Sequence, residues 1–152
     1  MRIHELDSKI INFCQKISIP VARVSLFVLF FWFGFLKIVG LSPASGVVER
    51  LFNESLAWAL PFSTFILLFG ALECVIGILF LIPRAERVVI PIMLAHMVTT
   101  AGPLVLLPGE VWTQWFVPTM EGQYIIKNLA LLALAIHIAS HLEPLNTREV
   151  VS

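Results

Sequence analysis

Charge is what this chain has least of. Only 13% of its 152 residues are Asp, Glu, Lys or Arg, against 59% hydrophobic residues, and its ten basic and ten acidic side chains cancel. A soluble domain carries about twice that charged fraction, and a water-facing surface needs it. The balance also removes the basic excess on which nucleic-acid binding depends, and the apolar excess removes a disordered tail. Cysteine is equally scarce. Cys14 and Cys74 stand far apart with no C-x-x-C between them, so neither a disulfide framework nor a thiol relay has a basis. Both read as small packed apolar residues. No Ser/Gly-rich or Pro-rich linker, internal repeat or low-complexity stretch divides the chain, so residues 1–152 read as one domain.

What the chain has is long apolar runs, with a mean hydropathy of +0.93. Four segments, at about 19–39, 61–82, 88–107 and 124–142, each approach the roughly 20 residues that a membrane-crossing helix needs. Pro20, Pro61, Pro83, Pro91, Pro108 and Pro118 stand at or near segment ends. Pro103 stands well inside the third and predicts a kink there. Ahead of the first segment, Ile3, Leu6, Ile10, Phe13, Cys14 and Ile17 recur at helical spacing, with Glu5, Asp7, Ser8, Lys9 and Lys16 opposite them. Residues 1–18 therefore predict an amphipathic helix lying on the cytoplasmic membrane face. They lack the small-residue cleavage site of a secretory signal.

Between the first two spans, Val47, Val48, Leu51, Phe52 and Leu56 predict a short interfacial helix over 42–56. Trp58, Trp112 and Trp115 fall in loops of one membrane face, as an aromatic belt does. The expected fold is all-α: an integral membrane four-helix bundle with an N-terminal amphipathic helix, short interfacial helices in the outer loops and the lipid bilayer as partner. With four spans both termini share one side. That side receives Arg2, Lys9, Lys16, Arg84, Arg87 and Arg148, and the other only Arg50. The positive-inside rule then puts both termini in the cytoplasm.

Ionisable side chains within spans are costly and usually face the bundle interior or a cavity. Glu73 is the sharpest, near the middle of the second span. Gly70, Glu73 and Gly77 share one helical face, and glycines on that face let another helix approach closely. Glu73 is either a packing group satisfied by a partner or a functional acid. His96 lies at similar depth in the third span, followed by Thr99, Thr100 and Pro103 on one stripe. It is either a core histidine bonded to a carbonyl or half of an acid–imidazole pair with Glu73. Lys37 and Lys127, near the outer ends of the first and fourth spans, either snorkel to the interface or point inward. Asn128 beside Lys127 suits a helix interior. Arg23, near the inner end of the first span, is expected to reach lipid phosphate. His137 and His141 form an isolated pair without carboxylates, so no metal site is expected.

Depth favours one pairing over the other. Lys37 lies about 2–3 residues inside the outer boundary and Glu73 about 12, a gap of more than ten Å at about 1.5 Å per residue. A direct Lys37–Glu73 bridge then needs stretched side chains or a boundary displaced by a turn. The expected arrangement is a polar column, with lysines above and Glu73 and His96 at the middle.

Three stretches in order carry a family likeness. They are Arg23 followed by Phe31-Trp32-Phe33-Gly34-Phe35-Leu36-Lys37; Gly70-Ala71-Leu72-Glu73-Cys74-Val75-Ile76-Gly77-Ile78-Leu79; and Glu121-Gly122-Gln123-Tyr124-Ile125-Ile126-Lys127-Asn128-Leu129-Ala130-Leu131-Leu132. The chain resembles the DoxX-like superfamily of small four-helix bacterial membrane proteins, nearest the YkgB-like branch, although its first loop is shorter than that branch's. The resemblance implies a bacterial inner-membrane location. It also singles out Arg23, Gly34, Lys37, Gly70, Glu73, Gly77, Lys127 and Asn128, with Gly34, Gly70 and Gly77 as helix-packing positions. It further implies a redox-linked or stress-response membrane subunit, with a quinone as the possible cofactor and a membrane or peripheral redox protein as partner. No haem-ligand pair, Fe–S cysteine set or flavin motif is present, so catalysis by this chain alone is not expected. Two other readings stay open: a small-molecule or proton permeation unit built on Glu73 and His96, as a monomer or homo-oligomer, and a structural scaffold.

Overall fold

The computed structural model describes residues 3–144. Met1, Arg2 and residues 145–152, with the Arg2 and Arg148 of the orientation pattern, lie outside them. The chain runs α1 (Ile3–Ile38), α2 (Ser45–Ser55), α3 (Phe62–Leu81), α4 (Glu86–Ala101), α5 (Pro103–Leu106) and α6 (Pro108–Val111), then an antiparallel hairpin of β1 (Trp112–Gln114) and β2 (Val117–Pro118), and finally α7 (Met120–Ala139). Four stretches, His4–Ile38, Phe62–Leu81, Glu86–Leu106 and Met120–Ala139, are long and apolar enough to cross a membrane.

The first of these departs from the expectation of a separate amphipathic helix. Residues 3–38 form one continuous helix of 36 residues with Pro20 inside it. Proline removes one backbone bond and crowds the preceding turn, but no glycine or second proline adjoins it, and the helix runs through. The apolar side of the N-terminal half, with Leu6, Ile10 and Phe13, is exposed.

At the end of α4 the expected kink takes the form of a break. The Gly102 N–H bonds Thr99 O three residues back at 3.1 Å, and Pro103 starts α5 at a first-turn position, where its missing N–H costs nothing.

The fold is mostly helical, as expected, with one small hairpin at residues 112–118 as the exception. Trp112, Thr113 and Val117 are strand-favouring types. Thr113 Oγ1 donates to Val117 O at 2.9 Å across the hairpin, and Phe116 at its tip takes a left-handed φ of 56°. α7 begins at Met120, four residues before the apolar run, because Thr119 caps it. Its Oγ1 accepts from the Gly122 N–H at 3.1 Å and donates to Glu110 O at 2.9 Å.

α1 and α3 share by far the most extensive interface; α4 packs on α7 and α3, and α7 returns to α1. All four long helices feed one core of Ala22, Leu26, Phe30, Ile76, Phe80, Val89, Met93, Ala135 and Ile138. Outward faces are apolar as well: Val21, Val24 and Val28 on α1, Leu68 and Val75 on α3, Val98 on α4, and Leu129 and Ile136 on α7 are exposed.

Candidate functional site

Three glycines set the register that builds the site. A Cβ placed on Gly34 would lie 2.6 Å from Gly70 O and 2.8 Å from Glu73 Cβ; one on Gly70 would lie 2.7 Å from Gly34 O and 3.0 Å from Lys37 Cβ. Gly77 meets the backbone of Phe27 and Phe31 in the same way. Later residues of α3 thus meet earlier residues of α1, so the two helices run antiparallel with backbones nearly touching. In this register Lys37 sits level with Gly70, eight residues into α3. α3 therefore overshoots the end of α1, and its first turns pack on α2 instead, with Phe52 ring centroids 5.5 Å from Phe62 and 5.0 Å from Phe65.

That overshoot corrects the depth reasoning. The two spans do not start at one level, and Lys37 reaches Glu73 directly. Lys37 Nζ donates to Glu73 Oε2 at 2.5 Å. On the other carboxylate oxygen, Oε1, His96 Nε2 from α4 approaches to 3.2 Å. All three side chains are buried, with 7%, 7% and 3% of their surface exposed for Lys37, Glu73 and His96. Phenylalanines close around them. Phe30 and Phe69 flank the His96 ring at centroid distances of 5.7 and 4.7 Å, and Lys37 Nζ stands 5.7 Å from the Phe69 centroid.

A carboxylate oxygen only accepts, so Nε2 is the nitrogen of His96 placed to donate to Glu73. Glu73 thereby has a nitrogen close to each oxygen. The remaining nitrogen of His96, Nδ1, is buried with no hydrogen-bond partner. His96 also forms part of the wall of a cleft of about 440 Å³ between α3 and α4, with Phe65, Phe69 and Leu72 on one side and Ile92 and Thr99 on the other.

The other candidate residues lie apart from this trio. Thr99 lines the cleft, but its hydroxyl donates back to Ala95 O at 3.3 Å. Lys127 does not join the column: it is exposed, with Nζ 5.1 Å from the Tyr124 ring centroid. Asn128 is half-buried. Arg23 does not reach outward to phosphate. It pairs with Glu86 at the start of α4, and the Glu86 side chain is only 2% exposed.

Glu86 is not among the expected site residues, because it precedes the third expected span at about 88–107. The available signal was its place in the first turn of α4, where an acid is favoured. Cys74 lies in the α1–α3 seam, its Sγ donating to Phe31 O at 3.6 Å. His137 and His141 pair edge to face at 4.8 Å. No cluster of three or more His, Cys, Asp or Glu able to hold a metal ion occurs among the described residues.

Compared with protein families, curated proteins and solved structures, the chain gives no match.

Proposed function

We propose that this chain is a multi-pass membrane protein of DoxX-like type that holds a lipid-soluble ligand of the quinone class beside the Lys37–Glu73–His96 trio, as the membrane subunit of a redox-linked or stress-response system. In this reading the four apolar helices cross a bacterial inner membrane as a bundle with both termini cytoplasmic, and a redox protein docks at the membrane. The apolar outward faces support membrane embedding, since lipid solvates such a surface and water does not. The DoxX-like placement rests on the motif residues Gly34, Lys37, Gly70, Glu73 and Gly77, which meet at one helix contact.

One observation carries the ligand reading: His96, which meets the buried Lys37–Glu73 pair, forms part of the wall of a cleft. About 440 Å³ lies within the range of small-molecule pockets, which are mostly apolar with a few polar groups. Phe65 and Phe69 offer faces against which a planar ring stacks, and His96 and Thr99 are the polar groups. The residues present fit a planar apolar ring of this class. The bound ring would supply the electron-carrying chemistry. This chain's residues hold the ring, exclude water and fix the orientation of the imidazole.

Permeation is less well supported. Between the trio and the Arg23–Glu86 pair, Leu26 and Phe30 on α1 and Ile76 and Phe80 on α3 are buried, so apolar side chains fill the path from one polar site to the other.

The test is to purify the protein in lipid nanodiscs, extract it for quinone, and titrate it with decyl-benzoquinone. The expected result is co-purifying quinone or saturable binding near one per chain, with raised oxidant sensitivity in a deletion strain. Neither extraction nor saturable binding, with unchanged oxidant sensitivity, would end this reading.

A further inference from the structure

The end of α1 that projects from the bundle carries an uncovered apolar surface. Residues 4–16 are exposed throughout, and the helix first joins the core at Ile19 and Ala22. At about 1.5 Å per residue, about 20 Å of helix stands clear of the other elements. Its apolar side chains are ordered. Leu6, Ile10, Phe13 and Ile17 are spaced 4, 3 and 4 residues apart, and the first three are 45%, 54% and 61% exposed. That spacing is the a/d seam of a two-stranded coiled coil, which sets one apolar stripe against another like it.

The stripe lies on the back of α1. At about 100° per residue it stays on the side that carries Val21, Val24 and Val28, which are exposed. It falls roughly opposite Ala22, Leu26 and Phe30, which are buried in the bundle. The helices behind α1 therefore leave this side open to a second chain.

We propose that the stripe is the seam of a parallel homodimer, in which the α1 helices of two copies lie back to back and zip together beyond the membrane. This interface rests on the membrane embedding proposed above and is independent of any ligand.

The geometry selects a second copy over the bilayer surface. α1 is one helix from Ile3 to Ile38; to lie flat on the membrane, its N-terminal half would have to break away from the span, and it runs through Pro20 unbroken. Copies inserted the same way in one membrane present the stripe at one height and in one direction. It is then in register with itself, as a parallel seam requires. Charge agrees with that alignment. Lys9 and Lys16 flank the stripe at g positions, which face e positions of a parallel partner. Those are the partner's Cys14 and the partner's Val21, so these lysines meet no like charge. A seam this short is marginal for free helices in water, but anchoring both copies in one membrane raises their effective concentration.

The experiment uses the full chain in liposomes, with Cys14→Ser removing the exposed thiol and one new cysteine at a time. Leu6→Cys and Phe13→Cys, on the stripe, are expected to give disulfide-linked dimer under mild oxidation at several times the yield of Ser8→Cys and Gln15→Cys, on the opposite side. Energy transfer between donor- and acceptor-labelled copies, labelled at the C-terminus, reads association with no cysteine in the seam. Ile10→Lys with Phe13→Lys is expected to weaken it at least about tenfold. Both positions lie outside the core, so the melting of the bundle should stay unchanged in that variant. Equal crosslinking at all four positions, crosslinking at none, or energy transfer that the lysines leave unaltered would overturn the dimer. Quenching of a dye on Phe13→Cys by brominated lipid would overturn it too, because it would lay the stripe on the bilayer. Release of the chain from liposomes by alkaline carbonate would remove the membrane reading, and the interface with it.

Discussion

Separating Lys37 from Glu73 tests the energetic core of the site. Both side chains are 7% exposed and their charged atoms are 2.5 Å apart, so neither can exchange its partner for water. Removing one member of a buried pair leaves the other charge stranded, at a cost of about 3–5 kcal/mol. Lys37→Met and Glu73→Gln should each destabilise the protein by that much. The amide introduced by Glu73→Gln keeps an oxygen for His96 Nε2, so the second loss is chiefly the stranded lysine. Combined, the two substitutions remove both charges, and the double variant should lie within about 2 kcal/mol of wild type. The coupling is then about 4 kcal/mol or more, well beyond the spread expected of independent sites. Equilibrium unfolding in mixed micelles, followed by helical circular dichroism, measures all four corners of the cycle. Single variants within about 1 kcal/mol of wild type, or simple additivity, would refute the premise that the pair is buried and mutually dependent.

Further outcomes follow from the same geometry. Gly34→Ala sets a Cβ 2.6 Å from Gly70 O, where ordinary contact begins at 3.4 Å; α1 and α3 must part by about 0.8 Å, and melting should show a loss of about 1–3 kcal/mol. Gly46→Ala, whose nearest neighbour would be 3.8 Å away in α2, should be neutral or stabilising by up to about 1 kcal/mol; equal losses at both positions would contradict the close-approach reading. Glu86→Ala should cost about 3 kcal/mol by stranding Arg23, and unchanged thermal stability would show that the pair is solvated. Exposed Cys14 should react with a membrane-impermeant maleimide in inside-out vesicles and not in intact cells; the opposite pattern would reverse the proposed orientation.

Much of the helical layout can be read from the sequence, because apolar runs of about 20 residues have few alternatives. The i, i+3, i+7 spacing of Gly70, Glu73 and Gly77 likewise marks the face that α1 meets. Relative height is what spacing does not encode. Lys37 looks too shallow for Glu73 only if all spans start at one level, and here Lys37 stands level with Gly70, with the start of α3 packed on α2. Glu86 illustrates the same limit. Next to Pro83 and Arg84 it reads as loop, and only the approach of Arg23 from α1 makes it a buried partner. Pro20 and the 112–118 hairpin fail for a local reason. One proline does not outweigh a long helix on both sides of it, and a strand of three residues is too short to show alternation.

The most direct test of the account is where a ligand sits. An azido-benzoquinone with a decyl tail, photolysed with the protein in nanodiscs and mapped by peptide mass spectrometry, should label the cleft segments 65–72 and 92–99. Labelling should fall when unlabelled decyl-hydroquinone is added. Label spread over the lipid-facing sides of α1 and α7, or label in the cleft that no competitor displaces, would contradict a quinone-class site beside Lys37, Glu73 and His96.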